Sequence, residues 1–375
     1  MISTSAERAN PVHARMMDRA LELARRALGG VGPRPAVGAV IARGRDVVGE
    51  GATEARPGRH AEVVALEAAG ERARGATLYC TLEPHAHHGV SPPCTEAIIR
   101  AGVTAVVSAL QDPSPAVNGA GHRRLAEAGI RVVTDVPDRQ RAEASELIAG
   151  FAHLTATGRP LVTAKYAMTL DGKLATRTGK SRWLTGAQAR ARAHELRAAH
   201  DALVVGIGTV LSDDPQLTAR VPWAAEFKES RPRLRVVVDS RRRLPATAAL
   251  LGTGGPVLWA VASPTGEDAP AGVATATLPG DHGKVDLGAL LDVLGKRGAT
   301  TALVEGGAAL LGSFFDAGLV DRVAVFIAPA IMGGAGAVPA VAGLGVDEPE
   351  SVLRLEHMAV EQLGEDLLVT GRIKR

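Results

Sequence analysis

The chain has 375 residues, of which 46% are hydrophobic and 22% charged, a balance typical of folded domains rather than of a disordered chain. At roughly 150 residues per domain, this length predicts two domains or three. The formal net charge is only +3 and aromatic residues make up 3% of the chain. Nucleic-acid binding, which needs a clustered basic face with aromatic side chains, is therefore not expected.

The composition also bears on where the protein works. No apolar run reaches the roughly 18 residues of a membrane helix, and the first residues lack the basic-then-apolar order of a signal peptide. We therefore expect no membrane partner. The two cysteines, Cys80 and Cys94, are too few for a disulfide framework and favour a reducing cytoplasm.

The first part of the chain alternates helical and strand patterns. Apolar spacing and turn residues predict helices at 16–28, 61–73, 95–101, 122–128 and 138–154, and strands at 36–42, 46–50, 76–82, 105–110 and 131–134. This alternation predicts an α/β domain with a mostly parallel sheet covered on both faces. The polar segment 155–160 interrupts the pattern, which predicts one domain over 1–154 and a second over 159–375.

The second part opens with the alternating segment 161–169 and Asp171-Gly172, a pair that favours a two-residue hairpin turn. A helix is predicted at 186–199, and strands at 202–207, 234–239, 257–261, 302–304, 323–327 and 367–373. Several of these strands end in glycine-rich or Asp/Ser corners. Ligands in open α/β sheets bind at the carboxyl ends of the strands, so these corners are candidate binding positions.

One group of residues in the first part has the chemistry of a zinc deaminase. His60-Ala61-Glu62 opens a predicted helix, and Pro92-Pro93-Cys94 opens another. Nucleobase deaminases hold zinc with His and Cys side chains at such helix starts, and a Glu beside the metal moves protons. A His-x-Glu alone is more often a capped surface pair, but the Pro-Pro-Cys at the right distance favours a metal site. Cys80, in mid-strand, is interpreted as a small buried apolar residue.

Residues 13–135 resemble the deaminase domain of the RibD family of bifunctional riboflavin-biosynthesis proteins. The family has L-E-P-C-x-H-x-G-x-T-P-P-C where this chain has LEPHAHHGVSPPC. The resemblance implies that His60, His85 and Cys94 hold one zinc ion and that Glu62 is the catalytic proton shuttle. His87 and His88 are alternative ligands at the third position.

The chain departs from this family pattern at five positions. His85 replaces a Cys ligand, which is chemically tolerable because imidazole binds zinc at about 2.0–2.1 Å against about 2.3 Å for thiolate. It removes one negative charge, so water bound there should become more acidic. Groups with which the family holds the pyrimidine and its ribose phosphate are replaced at Arg34, Thr53, Ser114 and Ala120. Both an active deaminase and a degenerate or retargeted one remain open.

Five segments of the second part fit a pyridine-nucleotide pocket, namely 165–172, 181–183, 196–197, 206–220 and 304–313. In the last of them a strand runs into Glu305-Gly306-Gly307 and then a helix, so backbone N–H groups and the helix dipole can meet a pyrophosphate. This is not the G-x-G-x-x-G of a Rossmann unit. The indole of Trp183 can stack on a nicotinamide or a pyrimidine.

These segments resemble the reductase domain of the same family, which has a dihydrofolate-reductase-like fold. The resemblance implies NADPH as cofactor, with contacts at Ala167, Trp183, Thr209, Asp213, Ser240, Gly307, Ala308, Ala309, Leu310, Leu311, Gly312 and Ser313. It implies substrate contacts at Ser181, Arg197, Leu217, Arg220 and Glu305, with the two arginines clamping a 5′-phosphate and Glu305 bonding the hydroxyls or the pyrimidine edge. Asp171 is an acid candidate by position only, and a turn residue by pattern.

The leading hypothesis is a cytoplasmic riboflavin-pathway enzyme, in which a zinc deaminase and an NADPH-dependent reductase act on a phosphoribosyl pyrimidine. The first alternative is a reductase whose deaminase domain is degenerate or retargeted. The second is an RNA-binding or scaffold module built on a deaminase fold, which predicts a basic stripe that the composition does not contain. By analogy with other reductases of this fold, we expect a homodimer.

Overall fold

The computed structural model describes residues 11–88, 91–115, 117–181, 184–221 and 233–375. The chain divides into two compact units, Met1–Thr157 and Gly158–Arg375. None of the described helices combines the length and apolar character needed to cross a bilayer. The predicted fold class, a deaminase-like α/β domain followed by a second α/β domain, is confirmed by the element order of the two units.

The first unit is built around one five-stranded sheet. Its strands are β1 (Gly38–Arg43), β2 (Asp46–Ala52), β3 (Thr77–Cys80), β4 (Ala105–Ser108) and β5 (Arg131–Val133). Its helices are α1 (Pro11–Ala27), α2 (Ala61–Ala69), α3 (Cys94–Ala101), α4 (Ala120–Glu127), α5 (Asp138–Leu147) and α6 (Ala149–Thr157). The strand order is β2-β1-β3-β4-β5.

The prediction of a mostly parallel first sheet is wrong. Strand β1 is antiparallel to both β2 and β3, and only the β3–β4 and β4–β5 pairs are parallel. The reason is the two-residue connection Gly44-Arg45, which is too short for a parallel crossover; Gly44 takes φ +60°, in the left-handed region that suits glycine.

Helices cover both faces of this sheet, as predicted. Ala39 and Ile41 point from β1 into a core shared with Ala61 and Ile98 of α2 and α3. The alternate residues of β1 point to the other face, where they pack with Met16 and Met17 of α1 in a second core. This alternation follows from the two-residue period of a strand.

The single helix predicted over 138–154 is two helices, because Ile148 leaves helical geometry and is soon followed by Gly150, a weak helix former. The second of these, α6, extends through part of the segment predicted as a polar break. It ends at Gly158, which has φ +74°.

The second unit contains a nine-stranded sheet. Its strands are β6 (Leu161–Thr169), β8 (Ala202–Gly206), β9 (Leu234–Val238), β10 (Val257–Val261), β11 (Ala274–Thr277), β12 (Thr301–Val304), β13 (Arg322–Ala328), β15 (Leu355–Leu363) and β16 (Asp366–Ile373). The strand order is β11-β10-β9-β8-β12-β6-β13-β16-β15. The seven strands from β11 to β13 are parallel, and β16 and β15 are added antiparallel.

The helices of this unit are α7 (Ala187–Ala199), α8 (Ile207–Asp213), α9 (Leu287–Lys296) and α10 (Ala308–Asp316). Two short strands, β7 (Lys173–Ala175) and β14 (Val338–Pro339), pair with each other. A turn forms one residue earlier than predicted, with Leu170-Asp171 at its centre, since the Gly172 amide donates to the Thr169 carbonyl at 2.9 Å. The predicted hairpin does not follow from it, because β7 pairs with β14 instead of returning along β6.

Candidate active sites

Helix α2, which begins just after His60, lies directly against strand β2. A Cβ atom at Gly51 would lie 2.3 Å from the Ala61 carbonyl oxygen, and one at Gly49 would lie 2.3 Å from that of Ala65. Only glycine permits so close an approach of a helix to a strand. The two glycines therefore allow α2 to pack closely against β2, and this packing sets the position of His60.

Three predicted metal ligands come together at this place. His60 precedes α2, Cys94 is the first residue of α3, and His85 lies in the loop after β3. Their donor atoms all lie within 4.8 Å of one another, with Cys94 Sγ 3.4 Å from His60 Nδ1. The alternative ligands His87 and His88 are not part of this group, although the ring of His87 lies 5.2 Å from that of His85.

The three residues fit a zinc ion. Nδ1 of His85 is buried without a hydrogen-bond partner in the described part of the chain, which an imidazole nitrogen seldom tolerates unless a ligand binds it. Burial, followed by the neighbouring cationic groups, lowers the pKa of both His60 and His85 to about 4, so both rings are neutral near pH 7. Two neutral imidazoles and one thiolate form a donor set that zinc accepts.

Glu62 lies in the first turn of α2 and is only 4% exposed. Burial raises the pKa of its carboxyl group to about 7. A group with this pKa can both take up and release a proton near neutral pH, which is the requirement for general acid–base catalysis. Glu62 is the predicted catalytic group, and it lies beside the predicted metal ligands.

A cavity of about 370 Å³ opens onto this group. Three of the positions that depart from the family pattern, Arg34, Thr53 and Ser114, line the cavity. The Thr53 hydroxyl already has a partner within the protein, since it accepts a hydrogen bond from the Val37 amide at 3.1 Å. The replacements therefore change the walls of the cavity and leave the metal ligands and Glu62 in place.

Glu83 has a structural role that the sequence analysis missed. Its buried carboxylate accepts four backbone N–H groups at 2.9–3.2 Å, from Asp112, Gly119, Gly121 and His122. Glycine is required at position 121, where a Cβ would lie 1.8 Å from the Pro84 carbonyl oxygen. An acidic residue in a buried loop directly after a strand was the available signal.

The second site centres on Glu305, at the carboxyl end of β12. Arg197 donates to its two oxygens from Nε at 2.6 Å and Nη2 at 2.9 Å, and Lys165 Nζ lies 3.4 Å from Oε2. Burial opposes ionisation of Glu305, but the two cations outweigh it and hold its pKa at about 2. Lys165 begins the predicted pocket segment 165–172 but was given no role there, although a charge in the middle of a strand within the sheet was a signal.

The two arginines of the expected phosphate clamp have different partners in the structure. Arg197 is already bound to Glu305 through a bidentate ion pair. Arg220 is exposed and makes only neutral contacts in the described part of the chain, to Thr218 Oγ1 at 3.2 Å and to Gln216 Oε1. Within the described ranges, Arg220 therefore has no ionic partner, whereas Arg197 is paired with Glu305.

The glycine corner after β12 faces another helix start. A Cβ at Gly307 would lie 3.7 Å from the hydroxyl of Thr209, near the start of α8. The first amides of α10, including those of Ala308 and Ala309, have no acceptor within their own helix. These amides and the Thr209 hydroxyl form a cradle that fits an anionic pyrophosphate.

The rest of the stretch 307–313 packs inward. Leu311 is fully buried in the core, and a Cβ at Gly312 would lie 2.1 Å from the Ala342 carbonyl oxygen. Leu310 packs over Gly306, and Ser313 Oγ donates to the Ala309 carbonyl at 3.0 Å. The later part of this stretch is therefore held by contacts within the protein.

The remaining predicted residues of this site lie as follows. Ser181, Ala167 and Asp213 are half-buried, Leu217 is buried with φ +51°, and the hydroxyl of Ser240 accepts from the Val285 amide at 3.2 Å. Trp183 lies outside the described residues. The Asp171 carboxylate accepts from the amides of Met332 and Gly333, and these bonds, after that of Thr169, hold its pKa at about 2. It is a turn residue, and not a proton donor.

Family models agree with this division of the chain. Residues 11–110 match the cytidine and deoxycytidylate deaminase zinc-binding region, and residues 160–369 match the RibD C-terminal domain. The riboflavin biosynthesis protein RibD of Bacillus amyloliquefaciens is 39% identical over 362 residues, covering 95% of each chain. That of Aquifex aeolicus is 41% identical over 358 residues, covering 94% of this chain and 96% of the relative.

The chain belongs to the RibD family. RibD of Acinetobacter baumannii has a solved structure that matches with a TM-score of 0.86 at 35% identity, covering 97% of this chain and 99% of that one. A diaminohydroxyphosphoribosylaminopyrimidine deaminase/5-amino-6-(5-phosphoribosylamino)uracil reductase from Thermotoga maritima matches with a TM-score of 0.84 at 34% identity, with the same coverage. The resemblance inferred from the motifs is confirmed over almost the whole chain.

Proposed function

We propose that the chain catalyses two steps of riboflavin biosynthesis. The first unit hydrolyses the amino group of a phosphoribosylated diaminopyrimidine, and the second reduces the ribosyl group of the product to ribityl with NADPH. Membership of the RibD family makes the protein a bifunctional deaminase and reductase. The ligand set, the cofactor and the exact substrate are our proposals.

The observation that carries the deaminase half is the buried His85 Nδ1, which has no hydrogen-bond partner among the described residues and lies with the donors of His60 and Cys94. A degenerate site would be expected to lose its ligands or fill with bonded side chains. This site retains an open donor set beside a protonatable carboxyl group. We therefore favour an active deaminase over the alternative of a reductase with a degenerate first domain.

In the first unit, His60, His85 and Cys94 would hold the zinc ion. When bound, zinc supplies the Lewis acidity that makes water a nucleophile near neutral pH. Glu62 would pass two protons of that water in turn, the first to a ring nitrogen and the second to the departing amino nitrogen. The C–N bond breaks, ammonia leaves, and the ring carbon retains the oxygen. The raised pKa of Glu62 suits it to both transfers.

In the second unit, NADPH would supply the hydride, with its pyrophosphate at the first amides of α10 beside Thr209. Arg220 binds the 5′-phosphate of the substrate. Glu305, oriented by Arg197, accepts hydrogen bonds from the sugar hydroxyls. The hydride would go to C1 of the ribose in its ring-opened imine form. We assign Lys165 Nζ, 3.4 Å from Glu305, to donate a proton to the imine nitrogen as C1 is reduced.

The test separates the two halves. We expect the purified protein to contain one zinc per chain and to release ammonia from the diaminopyrimidine nucleotide without NADPH. NADPH oxidation only with the already deaminated compound, and no ammonia from the first, would instead establish the reductase-only alternative.

A variant pair tests the ligand assignment. His85→Ala should lose zinc and ammonia release together, while His88→Ala, which removes a neighbouring exposed imidazole, should keep both. Loss of zinc from the His88 variant, with zinc retained in the His85 variant, would overturn the assignment.

A further inference from the structure

Arg34 is a buried cation in the wall of the deaminase cavity. It lies between α1 and β1, is only 7% exposed, and lines the cavity together with Arg56. Nη1 donates to the Gly58 carbonyl at 2.7 Å and Nη2 to Ser91 Oγ at 3.3 Å. Both acceptors are neutral, so the guanidinium charge has no ionic partner among the described residues.

The acidic groups near Arg34 are already engaged. Glu54, whose charge acts on Arg34, is bound by Arg59, with Nε donating to Oε2 at 3.0 Å. Glu83 accepts four backbone amides, and Asp112 accepts the Ser114 amide at 2.8 Å. The remaining carboxyl group of the cavity, Glu62, is buried in the first turn of α2 and forms no ion pair with Arg34 among the described residues.

Arg56 adds a second positive charge to the same wall. It is exposed and lines the cavity, and no described carboxylate forms an ion pair with it. Burial, and then the charge of Arg56, lowers the pKa of Arg34, which means that each cation raises the free energy of the other. Two adjacent guanidinium groups that form no ion pair with a described carboxylate are expected where an anionic ligand completes the site, because a buried charge needs a partner.

We propose that Arg34 and Arg56 form a phosphate subsite of the deaminase cavity, which binds the 5′-phosphate of the pyrimidine nucleotide. This rests on the proposed function for the identity of the pyrimidine. A cavity of about 370 Å³ lies within the range of about 300–1,000 Å³ typical of small-molecule sites. The planar guanidinium has paired donors that match the oxygens of a phosphate monoester.

The decisive measurement is discrimination between the phosphorylated and the dephosphorylated ligand at this centre alone. The protein is loaded with Co²⁺ in place of zinc, so that its visible absorption reports ligands at the metal. The deaminated pyrimidine product is then titrated with and without its 5′-phosphate. Because product binding needs no turnover, this assay works even if the protein does not release ammonia.

We expect the wild-type protein to bind the phosphorylated product more tightly. Arg34→Gln should reduce that preference by about 10- to 100-fold, the loss expected for one charge-assisted contact, while affinity for the dephosphorylated product stays within about twofold. Arg34→Lys should retain part of the preference. Arg45→Gln, which removes an exposed arginine on the β1–β2 turn, is the matched control and should change nothing.

Other outcomes contradict the proposal. An unchanged preference in Arg34→Gln excludes Arg34 from phosphate binding. An equal loss of affinity for both ligands shows that Arg34 only braces the cavity through Gly58 and Ser91. If ammonia is never released but the phosphate preference still depends on Arg34, the proposed deamination fails and the subsite stands.

Discussion

Glu305 binds two cations at once, and the chain distance between these partners explains why sequence alone did not reveal it. Arg197 lies 108 residues earlier, and the pattern analysis treated it as a free phosphate ligand. Motif spacing identifies residue types along the chain, but it does not say which charges neutralise each other across a sheet. Two of the proposed zinc ligands, His60 and Cys94, were easier to predict, because each lies at the start of a helix, whereas His85 was implied by the family resemblance.

Replacing Glu305 with Gln should destabilise the second unit by about 3 kcal/mol, since the half-buried Arg197 would lose its counter-charge. The double variant Glu305→Gln with Arg197→Gln should lose less than the sum of the single variants. Urea unfolding of all four proteins measures this coupling. Strict additivity would show that the ion pair contributes nothing specific.

The same ion pair sets a pH dependence. The pKa of Glu305 is held at about 2, below the roughly 4.3 of a free glutamate. A depressed carboxyl pKa gives stability that is fully present above the unfolded value and is lost as the pH falls through the folded value. We therefore expect the stability difference between wild type and Glu305→Gln to be constant above about pH 5 and to shrink toward pH 2.

At the scale of elements, the contact between α2 and β2 requires glycine on the strand. Gly51→Ala would place a methyl group 2.3 Å from the Ala61 carbonyl oxygen and force the helix outward. We expect a loss of about 1–3 kcal/mol in unfolding free energy, as for overpacked cores, together with weaker zinc binding because His60 moves with the helix.

Gly30→Ala is the control for this change, since its nearest neighbour would be at an ordinary 3.8 Å. Zinc titration and thermal unfolding of both variants provide the comparison. Unchanged zinc affinity in Gly51→Ala would show that zinc binding does not depend on how closely α2 packs against β2.

Strong local patterns gave the right elements. Strands β6 and β10 have the predicted bounds, because their apolar runs end at clear turn residues. Strand β15 was not predicted, since its side chains are mostly exposed and carry no core-facing alternation. The orientation of β1 was also mispredicted, because helix–strand alternation was taken as the guide and the two-residue turn after β1 was given too little weight.

At the scale of the whole molecule, each unit has its own hydrophobic cores. The clusters of the first unit contain only residues up to 148, and those of the second begin at 162. A domain that has its own hydrophobic core can fold alone. The order of the two units could be predicted because each contains a complete set of motifs.

We therefore expect fragments 1–157 and 158–375 to fold separately. The first should bind zinc and the second should oxidise NADPH with the deaminated substrate. A fragment ending at residue 130 serves as the control, because it lacks β5 and should not unfold cooperatively. Circular dichroism and calorimetry distinguish these cases, and an unfolded 158–375 fragment would contradict the expectation.

The four amides bound by Glu83 come from a segment that spans eleven residues and includes the start of α4. Because the Glu83 carboxylate is the common acceptor of all four amides, the loss of one of these hydrogen bonds weakens the other three. In hydrogen–deuterium exchange, these amides should share a single protection factor and lose it in one step. These four hydrogen bonds would then break together in a single cooperative opening.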